Sequence, residues 1–150
     1  MEIKKIQPEE WQLVVNLFDQ YRVFYKKESD LALAGQFIRE RLDNNESVIY
    51  VAVDGEKPVG FTQLCPKYSS ARAVKNWILN DLYVDAGYRK QGIGAQLIKQ
   101  AAEFAKKSEA QFIQLETAVD NYTAQSLYED LGFIKQPPEE EFYLYKLSLN

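Results

Sequence analysis

Asp85-Ala86-Gly87-Tyr88-Arg89-Lys90-Gln91-Gly92-Ile93-Gly94-Ala95 is a basic, glycine-bearing loop that runs directly into a helical pattern. Residues of these types at this spacing can hold an anion. The first N–H groups of a helix have no partner within it, the helix dipole adds partial positive charge, and glycine lets a pyrophosphate approach the backbone closely. Arg89 and Lys90 add formal charge. The loop is not a Walker motif, because no Gly-Lys-Ser/Thr follows, and it lacks the third glycine of the dinucleotide fingerprint at the required spacing. Glycine at a tight strand-to-helix turn also has a purely structural use, so the loop alone leaves both readings open.

Acid–base chemistry is constrained by what is missing. The chain has no histidine and one cysteine, Cys65, which removes Ser-His-Asp and Cys-His arrangements and imidazole or cysteine-rich metal sites, so no metal is expected. Carboxylates, tyrosines and lysines must move any protons. Cys65 reads as a small buried thiol in a reducing compartment. Asp81, inside the apolar run Trp77-Ile78-Leu79-Asn80-Asp81-Leu82-Tyr83-Val84, and Glu116, in Leu115-Glu116-Thr117, are the carboxylates placed by sequence to take a proton. Each also has a structural reading: Asp81 as the brace of a strand irregularity, Glu116 as the partner of a basic neighbour.

At 150 residues with 46% apolar content the chain is long enough for one globular domain with a real core, spanning residues 1–150. The net charge of −4 argues against nucleic acid as a partner. Residues 71–110 nevertheless carry seven basic against four acidic side chains, which fits a local anion site on an otherwise acidic protein. The longest apolar stretch, Val48 to Val53, is far too short to span a bilayer, and the first residues lack a secretory h-region, so a cytoplasmic protein is expected.

The elements that must position these residues alternate in period. Ile3 to Ile6 predicts a first strand, and Pro8-Glu9-Glu10 opens a helix to about Tyr25, with Trp11, Val14, Val15, Phe18, Tyr21 and Tyr25 at helical spacing. A second helix is predicted from Leu31 to about Asp43. Val48 to Val53 and Val59 to Leu64 form a hairpin around Asp54-Gly55, and a loop through Pro66 to Arg72 leads to a buried strand from Ala73 to Val84. A helix then runs from Gly92 to about Ser108. Phe112 to Thr117 is a strand, Tyr122 to Leu131 a helix stopped by Gly132, and Phe142 to Leu149 a final alternating strand. The order β-α-α-β-β-β-α-β-α-β-β implies an α/β (α+β) sandwich on a mixed sheet.

The segment Asn121-Tyr122-Thr123-Ala124-Gln125-Ser126-Leu127-Tyr128-Glu129-Asp130-Leu131-Gly132-Phe133 adds a second pattern. Taken alone, Tyr128 reads as a core aromatic. Together with Arg89-Lys90-Gln91-Gly92-Ile93-Gly94, the segment resembles the paired signatures of the GNAT superfamily of acetyl-CoA-dependent N-acetyltransferases: a Q/R-x-x-G-x-G/A loop and an N-x-x-A-x-x-L-Y-x-x-x-G-F helix. Tyr21-Arg22-Val23-Phe24-Tyr25, Pro58-Val59-Gly60-Phe61-Thr62-Gln63-Leu64 and the Trp77 to Val84 run are similar to the histone and polyamine acetyltransferase-like branch. The resemblance implies a mostly antiparallel sheet of about seven strands, flanked by four helices and splayed at its central strands.

It also implies roles. The backbone of Leu82, Tyr83 and Val84 would pair with the pantetheine arm of acetyl-CoA. The N–H groups of Arg89, Lys90, Gln91, Gly92, Ile93, Gly94 and Ala95 would hold the pyrophosphate, and Asn121 would touch the arm. Tyr128 would stand near the sulfur as general acid. Physical reasoning agrees that the central strand must part from its neighbour, at a bulge for which Asn80-Asp81 is the plausible place. An amine attacking the thioester directly must first lose a proton, because near neutral pH it is mostly ammonium. Tyr21, Phe24, Tyr25, Glu28 and Asp30 combine aromatic walls with acids, as suits a cationic small amine or lysine-containing acceptor, with Glu139, Glu140 and Glu141 adding negative potential at the rim. A homodimer is compatible with this reading. The alternative on the same fold is a module that binds acyl-CoA as a sensor without turnover.

Overall fold

The computed structural model describes residues 1–150, in two compact units, Met1–Glu116 and Thr117–Asn150. The first holds a five-stranded sheet in the order β1-β2-β3-β4-β5, formed by Glu2–Lys5, Val48–Asp54, Lys57–Ser69, Val74–Val84 and Ile113–Gln114. The first three pairings are antiparallel and the last is parallel. Helices α1 (Gln12–Phe24), α2 (Leu31–Asp43) and α3 (Ile93–Lys107) complete it.

Val48 to Val53 reads as unbroken apolar sequence because both faces of β2 are covered. Ile49 and Val51 join Ile6, Val14, Phe18, Ala34, Ile38 and Phe61 in one core with α1 and α2. On the opposite face Tyr50 meets Phe104 of α3 edge-on, with ring centroids 6.3 Å apart. Pro8–Glu10 forms a 3-10 turn whose capping box, Gln7 N–H to Glu10 Oε1 at 2.9 Å, launches α1. Asp30 caps α2 by accepting the N–H of Leu33 at 3.0 Å.

Two features of the sheet matter for the site. Gln63 lies opposite Asp81 while Leu64 lies opposite Leu79, so Asn80 is an extra residue and β4 bulges there. β4 and β5 pair only at Trp77 with Ile113 and Ile78 with Gln114. From Leu79 to Val84, therefore, β4 has no strand on that side. Asn76, 1% exposed, fixes the start of the pairing: its Oδ1 accepts the N–H groups of Gln111 at 2.8 Å and Phe112 at 3.2 Å.

The second unit contains α4, Tyr122–Asp130, capped by Asn121 Oδ1 on the N–H of Ala124 at 3.2 Å. It ends at Gly132, whose φ of 97° is open to glycine, with Phe133 N–H returning to the carbonyl of Tyr128 at 3.0 Å. No helix is long and apolar enough to cross a membrane.

Four expectations change. The sheet has five strands, not about seven, although the four helices stand. Phe142 to Leu149 forms no strand; its alternation fits a sheet surface, but a strand is defined by a neighbour's ladder, and Phe142, Tyr143, Leu144, Tyr145, Leu147 and Leu149 are exposed outside one. The strand expected over 112–117 shrinks to Ile113–Gln114, because the chain leaves β4 where the two strands part, and Pro66 to Ser69 extends β3 rather than forming a loop.

Asn76→Ala strands two N–H groups at the β4–β5 junction and should lower unfolding stability by about 2 kcal/mol or more in urea melts. A loss within the scatter of surface substitutions would mean that these bonds do not hold the junction.

Candidate active site

The glycine loop folds as its composition implies. Asp85 ends β4 with its N–H on the Val59 carbonyl at 2.8 Å and accepts the N–H of Gly87 at 3.0 Å, closing a 3-10 turn over Ala86–Tyr88. Tyr88 Oη then donates to Asp54 at 3.0 Å. Lys90 and Gly92 both take positive φ, 63° and 81°, and α3 begins at Ile93. Gly60 sets the approach of that helix. A Cβ there would lie 3.2 Å from the Tyr83 carbonyl and 3.3 to 3.4 Å from Leu97 and Ile93, so its absence lets the first turns of α3 lie against β3 beside the end of β4.

Arg89 sits at the same corner, its Nε donating to the Val84 carbonyl at 2.9 Å and its guanidinium 5.4 Å from the ring of Tyr83. The unladdered stretch of β4 and the open N-terminus of α3 thus adjoin. The first offers backbone N–H and C=O groups to an extended amide-bearing chain, the second N–H donors and charge to a pyrophosphate. This is the donor set that an acyl-CoA requires.

At the bulge, Asp81 is 3% exposed and accepts hydrogen bonds from Gln63 Nε2 and, at 3.2 Å, from Asn80 Nδ2. Thr62 Oγ1 donates to its backbone carbonyl at 2.8 Å. Tyr21 of α1 reaches across, its hydroxyl donating to the Asn80 carbonyl at 3.4 Å, close enough to the Asp81 carboxylate to feel its charge. Burial raises the pKa of Asp81 above the usual carboxylate range, against the pull of Gln63, Tyr21 and Asn80. Burial, followed by the Asp81 charge, drives the Tyr21 phenol far above its ordinary value, so it remains a proton donor at any working pH.

Tyr21 also packs on Tyr25 at 4.9 Å and edge-on to Phe61 at 6.0 Å. Phe24, Tyr25 and Glu28 are exposed next to it, whereas Asp30 uses its carboxylate as the α2 cap. Glu116 lies exposed at the end of the first unit, beyond β5. Asn121 and Tyr128 belong to the second unit, where Asn121 caps α4 and the Tyr128 ring meets Phe133 at 5.9 Å. Glu139 to Glu141 are exposed in that unit. Cys65, half-buried, has its thiol pushed up to about 11 by burial, which makes it a poor nucleophile.

Two residues escaped the sequence reading. Gln63 is buried against Asp81; its signal was a polar side chain inside the apolar run Val59 to Leu64, opposite another in β4. Asp19, also buried, holds the α1–α2 turn by accepting from Ser29 Oγ at 2.6 Å and the Asp30 N–H at 2.8 Å. Its signal was an acid beside the apolar stripe of the first helix.

Residues 11–133 match the model of the acetyltransferase (GNAT) family. The chain belongs to that family. By that kinship it is an acetyl-CoA-dependent N-acetyltransferase. It is 39% identical over 133 residues to the uncharacterized N-acetyltransferase YhfO of Bacillus subtilis, covering 89% of each chain. It is also 31% identical to a probable acetyltransferase of Haemophilus influenzae over 99% of both chains. The crystal structure of a probable acetyltransferase superimposes with a TM-score of 0.88 at 36% identity, covering 100% of this chain and 99% of that one. GNAT enzymes use acetyl-CoA, and the parted β4 edge with its helix N-terminus fits that molecule's arm and pyrophosphate. No group of three or more carboxylate or thiol side chains is gathered to hold a metal.

The raised pKa of Asp81 fixes the sign of a stability effect. Because the fold favours the protonated acid, wild-type stability falls as pH rises from the unfolded value of 3.8 through the higher folded one, then levels off. Asp81→Asn should therefore melt above wild type at pH 7 to 8, with the gap closing toward pH 4. A gap independent of pH would show that the buried charge carries no such cost.

Proposed function

We propose that this GNAT enzyme acetylates a primary amine, a polyamine, a lysine side chain or another small amine, by direct transfer, with Asp81 as the proton acceptor and Tyr128 as the general acid. The carrying observation is the buried Asp81 carboxylate at the Asn80 bulge, where β4 loses its neighbour. Bound acetyl-CoA supplies an activated thioester carbonyl. Leu82, Tyr83 and Val84 pair with its arm through the backbone, and an N–H in that stretch is positioned to donate to the oxygen that becomes negative as the amine attacks. Arg89 to Ala95 bind the pyrophosphate, with the Arg89 side chain free to exchange its Val84 contact for phosphate.

Asp81 is too buried to meet a bulky amine directly, and Tyr21 solves that problem. Its hydroxyl passes its proton to the carboxylate while taking one from the ammonium, so one N–H and one O–H bond break as two O–H bonds form. Burial suits the base, because an ordinary carboxylate is a weak acceptor for a proton held by an amine of pKa near 10.4. Glu116, exposed beyond the end of β5, lacks the burial that raises proton affinity and fits the task less well. Phe24, Tyr25 and Glu28 supply an aromatic and acidic approach for the cationic acceptor.

Support for Tyr128 and Asn121 comes from the signature they stand in, and the family match crosses from the first unit into the second, which favours reading residues 1–150 as one domain. The half-buried single cysteine suits a reducing cytoplasm.

The test is release of free CoA from acetyl-CoA in the presence of polyamines, lysine peptides, aminoglycosides and amino acids. Turnover with at least one amine is expected; tight acetyl-CoA binding without turnover would identify a non-catalytic module. Gly92→Val forces a β-branched residue to positive φ and disturbs the adjoining N–H groups at the start of α3, so calorimetry should show acetyl-CoA affinity reduced about tenfold or more. Unchanged affinity in a folded variant would remove the loop from the site. Tyr128→Phe should lose about 10²-fold in kcat with little change in Kd for acetyl-CoA. Near wild-type kcat, with chemistry rate-limiting, would return Tyr128 to a packing role.

A further inference from the structure

We propose that Gln63 is the positioning residue for Asp81, its carboxamide holding the buried carboxyl group in place in both protonation states. The inference rests on the reading of Asp81 as the base and assigns a function to a side chain that lies outside both the loop and the helix signature. Gln63 is 1% exposed, on β3, directly opposite Asp81 across the bulge. Its Nε2 donates to Asp81 Oδ2, while its Oε1 is buried with no hydrogen-bond partner.

An unpartnered buried acceptor is costly, and an apolar residue of the same length would avoid that cost if the site needed only filling. The carboxamide offers something an apolar group cannot. While Asp81 is ionised, Nε2–H is the matching donor. Once Asp81 has taken the proton through Tyr21, its new O–H needs an acceptor, and Oε1 becomes one when the amide turns about its last side-chain torsion. The proton then rests between Asp81 and Gln63 until it leaves by the same hydroxyl. Gln63 itself gains and loses no proton.

The groups facing Asp81 are few. Gln63 from β3 and Asn80 from β4 donate to the carboxylate, and Tyr21 from α1 lies beside it with its hydroxyl on the Asn80 carbonyl. Cys65, further along β3, is a neutral thiol that feels the Asp81 charge, and Tyr25 acts through Tyr21. Gln63 is the one of these that is both fully enclosed and able to donate and accept through separate atoms.

The experiment compares Gln63→Met, which keeps length and volume without the amide, Gln63→Glu, which keeps shape but replaces the donor by an acid, and Asp81→Asn. Two quantities are read in each: the acidic limb of the kcat/KM profile, and the titration of the Asp81 carboxyl carbon by 13C NMR in the enzyme without acetyl-CoA. Loss of the Gln63 donor removes a bond that favours the ionised form. The NMR midpoint and the acidic limb should both move to higher pH, by about one unit or more, in Gln63→Met and Gln63→Glu. A role in packing alone would lower activity or stability evenly and leave both midpoints where they were. Unmoved midpoints in whichever Gln63 variant folds, with the limb abolished in Asp81→Asn, would overturn the Gln63 assignment and leave Asp81 as the base. An acidic limb that persists in Asp81→Asn would overturn both.

Discussion

The architecture depends on the parting of β4 from β5 after Ile78. A sheet interior normally satisfies every backbone group by its ladder, and abandoning the ladder in mid-strand leaves N–H and C=O groups in want of partners. Two side chains make the break sharp. Asn76 pins the start of the short pairing by taking the N–H groups of Gln111 and Phe112, and the extra residue Asn80 rotates the strand from Asp81 onward. Without the first, the two strands would lose the contact that brings them together. Without the second, Asp81 would not face Gln63, and the unladdered stretch would start from a different register.

The break also explains why α3 starts where it does. β4 delivers the chain at Val84 to a corner that Asp85 and Tyr88 close, and Gly60 allows the new helix to lie against β3 with its open N–H groups beside the open strand. Two kinds of unsatisfied backbone are thus brought side by side: strand edge and helix end. Each would be a defect alone. Together they match the amide-rich arm and the charged pyrophosphate of one elongated molecule.

Much of this was legible because it is written in local pattern. The second helix was legible from Leu31 onward, although the Asp30 carboxylate, expected at the acceptor surface, serves as its cap, and Arg89 to Ala95 read as a helix entry on either the structural or the anion-binding reading of its glycines. The polar pair Asn80-Asp81 within an apolar strand marked the bulge. What sequence could not supply was any feature that depends on a cross-chain neighbour. Gln63 acquires meaning only when register sets it opposite Asp81. Phe142 to Leu149 has a strand's alternation, yet alternation describes side chains, whereas strand formation depends on a ladder that no local pattern encodes.

In the proposed mechanism, burying the base reconciles two demands that otherwise conflict. The acceptor must be recognised as a cation, which calls for exposed acids and aromatic faces, and it must react as a neutral amine, which calls for a base with high proton affinity. One exposed carboxylate would do the first and fail at the second, since water keeps its pKa low. The proposed mechanism divides the work: Phe24, Tyr25 and Glu28 stand at the surface, while Asp81 is buried, with its pKa raised by that burial. Tyr21 cannot compete for the charge, because the same burial and the Asp81 charge drive its own pKa far higher. Its hydroxyl therefore stays neutral, which is the property that the proposed proton conduit between surface and buried base requires.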